Sequence, residues 1–90
     1  MQEGSAREDL EKGNKADILL KNAIFIEVFE NLEKQFLDAW KNSPLKDNEE
    51  RERIYYLYQS LQALKSGIEN VSANGRIAKA QLDRLIGKTK

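Results

Sequence analysis

The chain has 90 residues, with 15 Lys and Arg balanced by 15 Asp and Glu and with neither Cys nor His. A chain this short buries only a modest core. It has no route to a disulfide or to the usual zinc ligands, and no net field draws it to nucleic acid or an anionic membrane. The thiol nucleophile and the commonest general base are also absent, which argues against an enzyme and against any metal or cofactor. Self-association is the means of stabilisation left to a small chain of this kind.

Residues 1–14 read as a polar arm whose one large apolar residue is Leu10. Ser5 and Glu8 have capping-box spacing, so a short helix is expected there, closed by Gly13. Asn14 and Asp17 then repeat the start signal, and a single domain is expected over 15–90.

Over about 15–41, Ile18, Ile24, Phe25, Val28, Phe29, Leu32, Phe36, Ala39 and Trp40 fall in one broad helical stripe. Leu19, Ile26 and Leu37 form a second apolar strip beside it, and one partner helix does not cover both. Pro44 removes a backbone donor and holds Ser43 out of the helical region, so the helix ends there. Asp47, with Glu50 three positions on, caps the next helix.

That helix is expected over about 48–74, with Ile54, Leu57, Leu61, Leu64, Ile68 and Val71 spaced as a coiled-coil seam and Tyr55, Tyr56 and Tyr58 beside it. Gly67 inside it points to close approach of another backbone. Asn74-Gly75 reads as the stop, and a short third helix is expected over about 76–86. The fold class is therefore all-α: a long antiparallel helical hairpin with a short C-terminal helix and a polar N-terminal arm.

No apolar run nears the roughly 18 residues that span a bilayer, and Met1–Ser5 lacks the regions of a signal peptide, so a soluble, cytoplasmic protein is expected. Glu49, Glu50 and Glu52 stand beside Arg51 and Arg53 as a solvated first turn, with no dry pocket to shift a carboxylate. Gly87-Lys88-Thr89 lacks the earlier glycine of a phosphate-binding loop, Leu82 standing in its place. Arg76, Lys79, Arg84, Lys88 and Lys90 face a single acid, Asp83, and form the one segment suited to phosphates. No helix-turn-helix accompanies them.

At Phe36-Leu37-Asp38-Ala39-Trp40-Lys41-Asn42-Ser43-Pro44, followed by Asp47 and the run Glu50–Arg53, the chain resembles small helical proteins encoded by tailed phages and prophages. The likeness extends over residues 24–82, through Gly75-Arg76-Ile77-Ala78. It implies a phage protein made with the head and packaging genes, found in the host cytoplasm or the virion, and it supplies no catalytic residues.

The leading expectation is a non-enzymatic assembly protein. It would associate with itself or with a phage structural protein, as a minor structural or morphogenesis component, through Leu19, Ile26, Leu37, Trp40, Tyr55 and Tyr56. A packaging or regulatory factor holding nucleic acid through the basic tail is the alternative. A phage-encoded inhibitor of a host enzyme is a third.

Overall fold

The computed structural model describes residues 3–87, with the side chain of Glu3 left out. The chain is all-α: α1 covers Glu3–Lys21, α2 Ala23–Asn42 and α3 Asn48–Gly87, and no strand occurs among the described residues. Two compact units result. Met1–Lys21 with Gly67–Lys90 form the first, and Asn22–Ser66 form the second.

Three boundaries differ from the sequence expectation. The first is at the N-terminus, where residues 3–14 are not an arm closed by Gly13 but part of the 19-residue α1. Gly13 is buried in the middle of that helix, because the face it shares with Ala6 and Ala16 packs on Ser72, Gly75 and Ala78 of α3. Small residues let two backbones approach closely, and that contact holds a segment with few large apolar side chains.

The second difference is the break in the stretch expected as one helix over 15–41. Asn22 takes an extended conformation (φ −68°, ψ 125°) and caps α2, its Oδ1 accepting from the Phe25 N–H at 2.9 Å. The side-chain acceptor satisfies a donor that α2 would otherwise leave open. Asn22→Ala is expected to lower stability by about 1 kcal/mol, as read from the urea midpoint at fixed protein concentration.

The third is the absence of a stop at Asn74-Gly75. The helices expected over 48–74 and 76–86 are one 40-residue helix. No described glycine has a positive φ, so Gly75 does not adopt the left-handed cap geometry. Its missing Cβ serves packing instead.

In the second unit the connection between α2 and α3 forms as Pro44 dictates. Ser43 is extended (φ −71°, ψ 140°), and its N–H and hydroxyl both donate to the Trp40 carbonyl, at 3.2 and 2.6 Å. Asp47 Oδ1 accepts from the Glu50 N–H at 3.1 Å, the expected cap. The reciprocal half of the box is absent because the Asp47 N–H already donates to the Pro44 carbonyl at 3.0 Å. Glu50 is left to hold Arg53 at 2.8 Å, and that contact keeps its carboxyl below the usual range.

Arg51 locks this turn, with Nη1 donating to the Ser43 hydroxyl and carbonyl at 2.9 and 3.2 Å. Its guanidinium also lies 4.5 Å from the centre of the Trp40 ring. Further along, Gln62 donates to Glu33 at 2.5 Å, and the Lys65 ammonium sits 5.1 Å from the Phe29 ring centre. Later positions of α2 thus meet earlier positions of α3. Phe29, Ile54 and Leu61 are the large side chains buried among the described residues.

Candidate self-association surfaces

The first unit is built on a close helix crossing. A Cβ added to Gly13 would lie 2.6 Å from the Gly75 Cα, and one added to Gly75 would lie 2.7 Å from the Gly13 Cα. Beside the crossing, the buried Ser72 hydroxyl donates to Asp17 Oδ1, and Arg76 Nη2 reaches the same oxygen at 3.4 Å. Arg76 therefore spends part of its charge inside the unit.

Of the other basic positions, Lys79 lines a 630 Å³ groove with Arg7, Leu10, Leu82, Asp83 and the apolar pair Leu85 and Ile86. Arg84 is exposed in the last turn of α3, while Lys88 and Lys90 lie outside the described residues. Arg76, Lys79 and Arg84 are thus the described cations of the basic tail. On the other flank of this unit, Leu19 joins Ile68, Val71 and Ala16 in an apolar groove of 320 Å³ edged by Lys12 and Lys15.

In the second unit, Leu37, Trp40 and Tyr55 come together with Ile54, Tyr58 and Gln59 around a 210 Å³ cavity. Ile26 lies on the same flank of α2 as Leu37, three helical turns earlier, and both are exposed. Tyr56 stands apart, its hydroxyl donating to Glu52 at 3.2 Å, which raises its pKa above the usual tyrosine value. The six residues expected to form one interface thus divide: Leu19 belongs to one unit, four belong to one flank of the other, and Tyr56 points elsewhere.

The sequence reading missed the opposite flank of the second unit. Ile24 and Val28 were expected in the main stripe, and Leu57 and Leu64 in the coiled-coil seam, but all four are exposed, Ile24 at 66% and Leu64 at 56%. The seam on α3 is split: Ile54 and Leu61 turn inward, while Leu57 and Leu64, each three residues further on, lie about 60° round the helix and remain uncovered. The signal available in the sequence is a row without charge. Ile24, Val28, Asn31, Gln35 and Ala39 on α2, and Leu57, Ser60 and Leu64 on α3, are all exposed and all uncharged, in a chain where 33% of residues are charged.

Among the described residues, no helix is long and apolar enough to cross a membrane, and no group of three or more carboxylates is placed to hold a metal ion. No family model, curated protein or solved structure matches the chain.

Proposed function

We propose that the chain is a non-enzymatic α-helical interaction protein that works by associating with itself. One observation carries this reading: sixteen large hydrophobic side chains are exposed among the described residues, against three that are buried. Scattered exposed apolar residues are ordinary, but contiguous apolar grooves and flanks on one small chain mark surfaces built to be covered.

In this reading α2 and residues 48–66 act as an antiparallel hairpin that presents the uncovered flanks. A morphogenesis role in a tailed-phage particle, which the resemblance around residues 36–44 implies, would be served by such an assembly, but the proposal stands on the surface alone.

The test is the mass of the purified chain by light scattering at micromolar and higher concentrations. A multiple of 10.4 kDa is expected throughout. A folded 10.4 kDa species at every concentration would overturn the reading.

A further inference from the structure

We infer that the cavity between Trp40, Tyr55 and Tyr58 holds the ring of a small arylalkanoate, whose carboxylate is taken by the open edge of the Arg51 guanidinium. The site is complete within one copy of the second unit, so it does not depend on self-association.

The lining sets the apolar half of the ligand. Three aromatic rings, with Leu37 and Ile54, surround the cavity, and its described lining contains no charged residue. Aromatic walls favour another ring, offset-stacked or edge-on. Two of the walls are held by contacts of their own: the Tyr55 hydroxyl accepts from Gln59 Nε2 at 3.0 Å, and the Trp40 ring centre lies 4.5 Å from the guanidinium. Walls fixed in advance lose little freedom when a ligand enters. The volume of 210 Å³ falls below the roughly 300–1,000 Å³ typical of sites for drug-sized ligands. It suits one ring with a short linker rather than the successive side chains of a peptide.

Arg51 supplies the anionic half. Its contacts with the Trp40 carbonyl and with Ser43 all run through Nη1. Among the described residues nothing bonds to Nε or Nη2, and no carboxylate pairs with Arg51, whereas Arg53 is held by Glu50 and Arg76 by Asp17. Nε and Nη2 form one edge of the planar group, the kind of edge that takes a carboxylate through two parallel bonds. A half-buried guanidinium already fixed on its other side has little side-chain entropy left to lose.

Geometry joins the two halves. Arg51, Tyr55 and Gln59 recur at four-residue intervals and so share one face of α3, which puts Arg51 about one turn, roughly 5.4 Å, before Tyr55. Trp40 belongs to both halves, lining the cavity and lying beneath the guanidinium. A ring in the cavity therefore needs only a carbon or two to bring its carboxylate to Arg51. Aromatic walls alone would also attract an organic cation, but a guanidinium without a counter-charge at the edge repels one.

The experiment titrates 3-phenylpropionate into the full chain, following the fluorescence of Trp40, the single tryptophan, and the NMR resonance of the Arg51 Nε–H. Both signals are expected to move saturably with one dissociation constant. The neutral 3-phenylpropionamide and the ringless butyrate should each bind at least about tenfold more weakly, the loss of a charge-assisted hydrogen bond or of a buried ring. Tyr55→Ala should weaken 3-phenylpropionate by a similar factor with helix content unchanged by circular dichroism. Tyr56→Ala, which lies away from the cavity, should leave it within threefold. Because Arg51 also holds the connecting turn, the amide rather than an Arg51 variant tests the charge. Equal binding of acid and amide, or an Arg51 Nε–H that stays still while Trp40 responds, would overturn the role of Arg51. Tighter binding of phenyltrimethylammonium would overturn the anionic class, and tighter binding of acetyl-Ala-Ala-Phe would overturn the small-molecule occupant. No saturable response to 3-phenylpropionate at millimolar concentration would overturn the site.

Discussion

Gly13→Ala destabilises the protein, although alanine is the better helix former by about 1 kcal/mol. The new methyl carbon would lie 2.6 Å from the Gly75 Cα and 3.3 Å from the Val71 carbonyl oxygen. Both obstacles are backbone, so no side chain can rotate away and the two helices must separate. Separation also strips packing from Ala6, Ala16 and Ala78, the other small buried side chains of the unit. Overpacking of this kind costs about 1–3 kcal/mol, enough to exceed the propensity gain.

Gly75→Ala meets the mirror obstacle, the Gly13 Cα at 2.7 Å, and loses a similar amount. The double variant loses less than the sum of the singles, because helices already forced apart by one methyl group accommodate the second. Urea unfolding at fixed protein concentration measures the loss, and hydrogen exchange should localise the lost protection to α1 and residues 67–87. Stability equal to or above wild type in Gly13→Ala would show that the crossing is looser than described.

Phe29→Ala has the larger effect, because the second unit rests on so few large buried side chains. Phe29 is 5% exposed, its ring 6.0 Å from that of Phe25 and under the Lys65 ammonium. Truncation removes the transfer energy of the ring and leaves a cavity between α2 and α3, at a cost of about 3–5 kcal/mol. A domain of this size is stable by only some 5–15 kcal/mol. Phe29→Ala is therefore expected to lose a large share of its stability, seen as a strongly lowered urea midpoint by circular dichroism. Ile24→Ala, at an exposed position of the same helix, should keep its helix content and most of its stability.

These two predictions also mark what the sequence made readable and what it hid. The second unit was readable because its signals are large and local. Pro44 stops α2 and Asp47 caps α3, while Phe29, Ile54 and Leu61 recur at helical spacing. The first unit was hidden because its contact is made of Ala, Gly and Ser, residues that carry no weight in a hydrophobic pattern.

Glycine was ambiguous in the same way: Gly75 after Asn74 has the form of a helix stop, and only the presence of Gly13 opposite shows it to be a crossing point. Asn22 was readable in principle, as a capping side chain three residues before Phe25, but the apolar stripe runs through it. The two strips of surplus apolar surface were seen in part. Leu19, Ile26 and Leu37 follow from the pattern of the first long helical stretch, whereas Leu57 and Leu64 looked satisfied because a seam with alternate spacing does not reveal that one helix can cover only half of it.

The central claim is that this chain displays more apolar helix surface than it can cover alone. The most direct test is the thermal unfolding midpoint of the full chain, followed by circular dichroism over a hundredfold range of protein concentration. Association that stabilises the fold makes the midpoint climb with concentration, and that climb is the predicted result. A midpoint that stays constant across the range, with one cooperative transition, would contradict the claim.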